Sequence, residues 1–407
     1  MKQENDASKG VRLATAKEVQ ARIDKAQQLI DLARSKSACV GFAEEIRGLS
    51  PDEQVERVRA KFEEVNGTGV KIGEVKIEDG KWVRANLPGE TRFLEPLRGL
   101  PLESISIPYA KVSDLDPLRG MPLIYLNVNS TSVKDLSPLA EGMPLTFLNC
   151  YGTPVSSLEP LKGMRLKHLD FGGTKVTDLS PLKGMPLERL RLQSVPIKDL
   201  AVLKGMPLMW LHCFRTAITD LGPLKGMQLK YLSCGGTKVF DLSPLEGMPL
   251  THLEIQDTRV TDLTCLKGMQ LDIFNCSGTE ITDLGPLRGM PLRVFQCTNS
   301  TISDLTLLKD MPLTHFHCNR TQVSDLRPLK GAPLEVLVIN NTKITDVTPL
   351  AGMKLESLCF TPGNITKGIE IVRGMKTIEW FSVSDAYNAE QIKPEDFWKR
   401  YDAGEFE

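Results

Sequence analysis

Two histidines have the spacing that two ligands of one metal ion require. His315 and His317 are two residues apart in a predicted β-strand, so both imidazoles project from one face. A zinc site also needs at least a third protein ligand. The corresponding positions of the adjacent strands hold Val294, Gln296, Val336 and Val338. The sequence therefore predicts no metal site and no cofactor.

The nine cysteines do not form any C-x-x-C pair, which argues against a zinc or redox motif. Six of them recur at one position of a sequence repeat where other units carry Leu, Ile, Val or Phe: Cys150, Cys213, Cys234, Cys276, Cys297 and Cys318. We interpret them as reduced core residues, because apolar burial raises the pKa of a thiol and suppresses its reactivity. Disulfides between neighbouring units are the alternative.

A column of aspartates also follows the repeat, at Asp178, Asp199, Asp220, Asp241, Asp262 and Asp283. We expect each carboxylate to cap the turn that comes after it. Calcium binding is the alternative interpretation, but no second carboxylate recurs to complete an oxygen cage.

From Leu102 onward the sequence recurs every 21 residues, with one inserted residue near Ala140 and Glu141. We number each unit from its first leucine as position 0. Positions 0, 3 and 5 are apolar among polar neighbours, which predicts a short strand with those side chains in the core. The segment from Asp178 to Met185 is typical of the chain after each strand, with Ser as a cap, Pro at the first helical position and Gly for a left-handed turn. We predict a one-turn α-helix or 3₁₀ helix there.

This pattern resembles the bacterial leucine-rich repeat, with the short helical return of internalin-like units. The resemblance implies an α/β solenoid: a concave parallel β-sheet, a convex side of short 3₁₀, helical or loop segments, and a cap at each end. A Thr column replaces the usual Asn of the family at Thr174, Thr216, Thr237, Thr258, Thr279, Thr321 and Thr342. Each hydroxyl is expected to bond the backbone at the bend after the strand.

Positions 2 and 4 point away from the core, onto the predicted concave face, and all five histidines fall there. Tyr125, Phe147, Trp210 and Tyr231 share position 2, where apolar bulk gains nothing from the core. Trp, Tyr and Arg dominate the energetics of protein interfaces. We predict a partner-binding site in the densest patch, which comprises Arg189, Arg191, Trp210, His212, Phe214, Arg215, Tyr231, His252 and Glu254. A merely solvated face is the alternative.

The predicted domain organisation is a disordered tail over 1–11, a helical and hairpin N-terminal cap over 12–90, a solenoid over 91–377 and a C-terminal cap over 378–407. Capping boxes at Thr15 to Glu18 and Ser50 to Glu53 predict two helices, and Asp79-Gly80 predicts a hairpin that pairs with the first repeat strand. At the other end we expect a last strand from Ile378 to Ser382 and a helix from Pro394.

The composition excludes several functions. A net charge of -1 gives no attraction for nucleic acid, and no run reaches the ~20 apolar residues of a membrane span. The polar Met1 to Gly10 lacks the apolar core of a secretory signal. Together with the reduced cysteines this favours a cytoplasmic location, or an extracytoplasmic one if the chain belongs to a membrane-anchored protein.

We predict a non-catalytic module that binds a protein partner on its concave face. The helical returns, the layout of the caps and the C-terminal Phe-Trp-Lys-Arg-Tyr-Asp-Ala-Gly-Glu-Phe are similar to repeat regions of bacterial Ser/Thr protein kinases. The alternative is therefore a regulatory or sensory region of such a signalling protein, since the Gly-rich, His-Arg-Asp and Asp-Phe-Gly motifs of the kinase domain itself are missing.

Overall fold

Each repeat unit is too small to bury its own apolar stripe, so successive units stack their strands into one sheet. The computed structural model describes residues 16–78, 81–140, 142–384 and 390–406. Its sixteen strands lie in chain order, and all neighbours are parallel except for the first, antiparallel pair. They are β1 Val75–Glu78, β2 Lys81–Asn86, β3 Ser104–Ser106, β4 Tyr125–Asn127, β5 Phe147–Asn149, β6 His168–Asp170, β7 Arg189–Arg191, β8 Trp210–His212, β9 Tyr231–Ser233, β10 His252–Glu254, β11 Ile273–Asn275, β12 Val294–Gln296, β13 His315–His317, β14 Val336–Val338, β15 Ser357–Cys359 and β16 Trp380–Ser382.

The core lies behind the sheet, where positions 0, 3 and 5 are buried as predicted. Within these units, a large side chain at one core position is combined with a small side chain at the next core position. Phe274, Phe295 and Phe316 occupy position 3 of three adjacent units, and each is followed two residues later by a small cysteine. The phenyl rings stack with centroids 5.9 and 5.7 Å apart. All six repeat cysteines are fully buried and unpaired, which confirms that they fill the core.

Short 3₁₀ helices return the chain on the side opposite the sheet. They span Glu95–Leu97, Asp116–Leu118, Ser137–Leu139, Glu159–Leu161, Ser180–Leu182, Ala201–Leu203, Gly222–Leu224, Ser243–Leu245, Thr264–Leu266, Gly285–Leu287, Thr306–Leu308, Arg327–Leu329, Thr348–Leu350 and Pro362–Asn364.

The start of the return differs by one residue from the prediction. In the typical unit, Ser180 is the first residue of the 3₁₀ helix rather than its cap, and Pro181 is the second. Leu179 occupies the N-cap position, and the carboxylate of the preceding residue supplies the capping bond, since Asp178 Oδ1 accepts a hydrogen bond from the Ser180 amide at 2.8 Å. Gly184 then takes the expected left-handed conformation, with φ of 76°.

The aspartate column caps the returns as predicted. In every unit of the column the carboxylate accepts a hydrogen bond from the amide two residues later, at 2.7 or 2.8 Å. These bonds lower the pKa of Asp178 and Asp262, with the hydroxyl of the capped Ser or Thr contributing most. The negative charge is thus compensated locally, within each turn.

The threonine column ties the bend after each strand, as predicted. Thr258 Oγ1 donates to the Ile255 carbonyl at 2.6 Å, and the other members of the column make the equivalent bond. The threonines are buried, so the hydroxyl satisfies a carbonyl that water cannot reach.

The inserted residue near Ala140 does not disturb the sheet. Ala140 continues the turn, with φ of -68° and ψ of -16°, where Lys183 of a regular unit is already extended with ψ of 122°. Tyr125 of β4 still pairs directly with Phe147 of β5. The insertion is absorbed entirely in the return.

From residue 16 onward the N-terminal region contains three helices, where two were predicted: α1 Ala16–Ala38, α2 Phe42–Ile46 and α3 Pro51–Asn66. The additional α2 is one turn long and buries Phe42 and Ile46. The Ser50 to Glu53 capping box of α3 is present as predicted. Thr15, the predicted tail over 1–11 and the Asp79-Gly80 turn lie outside the described residues, but β1 and β2 form the predicted hairpin and β2 pairs with β3.

At the C-terminal end, α4 (Ile369–Arg373) precedes β16, and α5 (Pro394–Asp402) comes after it. Phe397 of α5 is fully buried and stacks on Phe381 of β16 at a centroid distance of 4.2 Å. The predicted helix therefore does cover the last strand. Among the described residues, no helix has the length and apolar character needed to cross a membrane.

The threonine bond can be tested by removing its hydroxyl. We expect Thr258→Val to lower the free energy of unfolding by about 1–3 kcal/mol, because the Ile255 carbonyl would stay buried without a donor. Urea denaturation followed by circular dichroism measures the change. Thr261→Val, at an exposed position of the same unit, is the matched control. Equal losses in the two variants would contradict the assigned role.

Candidate functional site

Four adjacent strands, β7 to β10, place seven of the predicted partner-binding residues on one face of the sheet, and Phe214 and Arg215 follow β8 in the bend. The strands pair in register, so Arg189, Trp210, Tyr231 and His252 form one row across them. Arg191, His212 and Glu254 belong to a second row. The central leucine of each strand is buried beneath them, so these side chains project away from the core. We call the surface formed by the two rows the concave face.

A stack of aromatic rings occupies the middle of the patch. Trp210 and Tyr231 stack at a centroid distance of 4.3 Å with 14° between their planes, and His252 packs against Tyr231 at 4.4 Å with its ring tilted by 38°. His212 packs edge-on, 5.6 Å from Trp210. Because the rings stack along the direction of strand pairing, their faces cover one another and their edges point out of the sheet. The edge of an aromatic ring carries partial positive charge.

Three arginines border this stack. The guanidinium of Arg191 lies 5.2 Å from the centre of the Trp210 ring, and its Nε is 3.6 Å from Asp170 Oδ2. Arg215 covers Phe214 in the same way at 5.0 Å, from a left-handed backbone position with φ of 53°. Arg189 is exposed beside Trp210. The predicted patch is therefore a cationic and aromatic surface.

The two histidines of the patch have different surroundings. His252 Nε2 lies 2.8 Å from Glu254 Oε1, at hydrogen-bond distance. Burial is the largest influence and raises the pKa of Glu254, but the hydrogen bonds from His252 and Ser233 and the charges of His252 and His212 together outweigh it and hold that pKa below its usual value. His212 has no such partner: burial, and then the charge of Arg191, lowers its pKa. His212 is therefore neutral near pH 7.

The hydroxyl of Tyr231 is also held in its neutral form. Burial, and then the nearby charge of Glu254, raises the pKa of Tyr231 to about 12. Tyr231 therefore presents an uncharged phenol to the concave face, and the positive charge of the patch comes from its arginines.

Two features of the surroundings were not included in the predicted site. Asp170 is largely buried and faces Arg191, and burial raises its pKa. Tyr125 and Phe147 form a second stacked pair, 4.3 Å apart with 13° between the rings, and His168 packs edge-on against Phe147 at 5.9 Å. Position 2 of the repeat already contained this second pair, so the same signal could have identified it.

The pair His315 and His317 lies on β13 as predicted, four strands beyond Tyr231. Across the described residues, no three potential His, Cys, Asp or Glu ligands lie close enough to hold a metal ion. His315 Nδ1 is instead 2.9 Å from Thr314 Oγ1. Burial, and then the charge of His315, lowers the pKa of His317 to about 4.

The core thiols are poor nucleophiles. Burial raises the pKa of Cys150, Cys234, Cys276 and Cys318 to about 12. A thiol with such a pKa is protonated at neutral pH, whereas attack on a substrate requires the thiolate.

Comparison with solved structures identifies the fold. An internalin (InlF) of Listeria monocytogenes is 22% identical, with a TM-score of 0.63 over 77% of this chain and 98% of that one. The functional domain of InlJ from the same organism, described as including a cysteine ladder, is 21% identical with a TM-score of 0.53 over 72% of this chain and 71% of that one. No protein-family model and no curated protein matches the sequence. The chain thus has the internalin-like leucine-rich-repeat fold predicted from its repeat, while the link to protein kinases stays a prediction.

The effect of each arginine on the pKa of its neighbouring histidine can be measured separately. We expect Arg191→Ala to raise the pKa of His212, and Arg189→Ala to raise the pKa of His168, because each change removes a nearby positive charge. The readout is a pH titration of the imidazole resonances by NMR. Each variant serves as the control for the other. If either variant shifts both histidines equally, the predicted pairing of charges is wrong.

The low pKa of His317 should appear as a pH dependence of stability. The unfolded imidazole titrates near 6.5, so as the pH falls below about 6.5 the unfolded state binds a proton first and the free energy of unfolding decreases. The decrease should end near pH 4, the pKa of the folded state, and amount to at most roughly 3 kcal/mol. His317→Gln should remove this slope in urea denaturation between pH 7 and 4. Equal slopes in the two proteins would refute the low pKa.

Proposed function

We propose that this leucine-rich-repeat solenoid is a non-catalytic module that binds a protein partner on the concave face of β7 to β10. The contact residues are those of the predicted patch: Arg189, Arg191, Trp210, His212, Phe214, Arg215, Tyr231, His252 and Glu254. The single observation that carries the proposal is the Trp210–Tyr231 stack on a solvent-accessible face, with Arg189 and Arg191 beside it and Arg215 over the neighbouring Phe214. Aromatic residues and arginine together supply most of the hot spots of protein interfaces.

The patch is arranged before any partner arrives. Arg191 is held between Trp210 and Asp170, and Glu254 is held by His252. The rings are fixed by stacking on one another and by the in-register sheet beneath them. Ordering an interface side chain costs about 0.5–1.5 kcal/mol on binding, and here much of that ordering already exists.

The chemistry of the patch favours an acidic partner surface. Ring edges with partial positive charge point outwards, and Arg189 and Arg215 add exposed positive charges beside Arg191, which is paired with Asp170. The acidic side chains next to them are engaged, Asp170 with Arg191 and Glu254 with His252. A carboxylate-bearing segment could form bidentate hydrogen bonds with the exposed guanidinium groups.

The second stacked pair lies within the reach of the same partner. Phe147 is three strands from Trp210, a separation of about 14 Å at the usual spacing of strands. A standard interface buries about 800 Å² on each partner, which is wide enough to include both stacks. We therefore place Tyr125 and Phe147 at the edge of the proposed interface.

We further propose a reducing compartment, most simply the cytoplasm, for this activity. The six cysteines of the repeat are buried free thiols, which supports that location.

The binding site can be tested by affinity capture. The 407-residue protein is immobilised, and partners are captured on it from an extract of the source organism. We expect Arg191→Ala with Trp210→Ala to reduce the recovery of the partner at least tenfold, because each truncation removes a hot-spot side chain of about 2 kcal/mol. Quantitative mass spectrometry measures the recovery. Circular dichroism checks that the variant is folded.

The matched control is Lys204→Ala with Phe240→Ala, which also removes one cation and one exposed aromatic ring, but outside the strands. The control should recover the partner as well as the wild type does. If the concave-face variant also recovers every protein that the wild type recovers, the assigned surface is wrong.

A further inference from the structure

The outward row that contains Trp210 and Tyr231 repeats its residue types after four strands. From β4 to β10 its members are aromatic, aromatic, His, Arg, aromatic, aromatic and His: Tyr125, Phe147, His168, Arg189, Trp210, Tyr231 and His252. Both aromatic pairs stack at 4.3 Å, with 13° between the planes in the first pair and 14° in the second. A histidine ends each stack, packing against Phe147 or Tyr231. The row therefore holds two like aromatic clusters, which we call the first stack (Tyr125 and Phe147) and the second stack (Trp210 and Tyr231).

The strands that end the two clusters also match. β6 reads His-Leu-Asp and β10 reads His-Leu-Glu, so each adds a carboxylate two residues after its histidine. Both carboxylates have partners within the sheet, since Asp170 lies 3.6 Å from Arg191 and Glu254 lies 2.8 Å from His252. They are therefore not free to repel an anionic ligand by themselves.

One strand between the two stacks is cationic at both outward positions. β7 exposes Arg189 and Arg191 on either side of a buried leucine. Arg191 is the partner of Asp170, whereas Arg189 has no carboxylate within ion-pair distance among the described residues. Arg189 thus offers an exposed guanidinium between two apolar surfaces, in the same row as both of them.

The distance between the stacks fits an extended peptide. Their centres lie four strands apart, about 19 Å at the usual strand spacing of about 4.8 Å. An extended chain advances about 3.3 Å per residue, so side chains six residues apart reach both stacks, and they point to the same side of the chain. β7 lies two and a half strands from the centre of the first stack, about 12 Å. The residue four places after the first anchor, which also points to that side, reaches β7.

The chemistry of each position selects the side chain that it binds. The ring edges of both stacks point outwards and carry partial positive charge, which is complementary to the negative face of an aromatic ring. An incoming ring that lies flat on a stack makes this edge-to-face contact and also buries apolar area. A carboxylate placed there would lose its water for partial charges only. Beside Arg189 the same carboxylate forms charge-assisted, bidentate hydrogen bonds.

We propose that the sheet face from β4 to β10 recognises an extended peptide segment with two aromatic residues six places apart and one carboxylate between them. One ring lies on Tyr125 and Phe147, the carboxylate pairs with Arg189, and the other ring lies on Trp210 and Tyr231. The carboxylate is the fifth of the seven residues if the segment runs from β4 towards β10, and the third if it runs the other way. This inference rests on the proposed function and names the segment that the protein partner presents.

Isothermal titration calorimetry of the 407-residue protein with synthetic peptides tests the proposal. The probes are Phe-Gly-Ser-Gly-Glu-Ser-Phe and its reversed sequence Phe-Ser-Glu-Gly-Ser-Gly-Phe, both with blocked termini. One of them should bind with a dissociation constant of about 10–500 µM. The shorter Phe-Gly-Glu-Ser-Phe should bind at least tenfold more weakly, because its rings reach only about 13 Å apart and cannot contact both stacks. Replacement of the peptide Glu by Gln should weaken binding several-fold.

Protein variants assign each contact. Phe147→Ala and Trp210→Ala should each weaken the seven-residue peptide at least tenfold, because each removes one anchor site. Arg189→Ala should abolish the difference between the Glu and Gln peptides. Phe240→Ala removes an exposed ring outside the strands and should leave the affinity unchanged. Circular dichroism establishes that each variant is folded.

The outcomes separate this inference from the proposed function. If neither seven-residue peptide binds, or if the five-residue peptide binds equally well, the two-anchor arrangement is wrong. A difference between Glu and Gln peptides that persists in Arg189→Ala overturns the role of that arginine. Binding that survives both Phe147→Ala and Trp210→Ala places the peptide elsewhere and also overturns the inference. The proposed function fails by a different result, namely unchanged recovery of every captured protein by the Arg191→Ala, Trp210→Ala variant.

Discussion

In-register pairing of three-residue strands determines which side chains can meet in this molecule. Each strand has a buried central residue with one outward side chain on either side of it, as in β8, where Leu211 lies between Trp210 and His212. Because every neighbour pairs at the same position, a residue type repeated in the sequence becomes a row in space. The core, the tied bends and the concave face are three sets of such rows. A shift of one residue in any strand would exchange them.

The same register explains why the concave face carries a dense positive patch. Side chains in one row lie about one strand spacing apart, close enough for flat rings to stack and too close for like charges without compensation. The concave face satisfies both requirements, ring stacking and the compensation of like charges. Aromatic rings fill most positions of the first row from β4 to β10, while Arg191 of the second row is compensated by the buried Asp170 and by the face of Trp210. Repulsion between the arginines of this patch is weak, because the cations lie against aromatic rings and in separate turns.

The repeat made much of this structure predictable from the sequence. Its period gave the phase of every strand, and hence the buried cysteines, the hydroxyl bonds of the Thr column and the outward position of Trp210. The one-residue error at Ser180 has a local cause, since the Asp178 carboxylate takes the Ser180 amide as its partner and so draws that serine into the turn. The α2 helix has only two buried residues in five, too few to produce a periodic signal.

Other features depend on distances that no single-chain pattern contains. The sequence does not show which side of α1 faces solvent, because the direction depends on how Leu32 and Lys36 meet the first repeat units. The contact between Asp170 and Arg191 likewise joins two units, and depends on the conformation of a long side chain.

The inserted residue at Ala140 has a consequence for how such a surface can change over evolutionary time. The insertion alters the return and leaves the pairing of Tyr125 with Phe147 intact. Gains and losses of residues on the convex side are therefore structurally separate from substitutions in the sheet. The returns can change in length, or whole units can be exchanged, while each outward side chain keeps its position in the row. Recognition can thus diversify one side chain at a time on a backbone that does not have to be refolded.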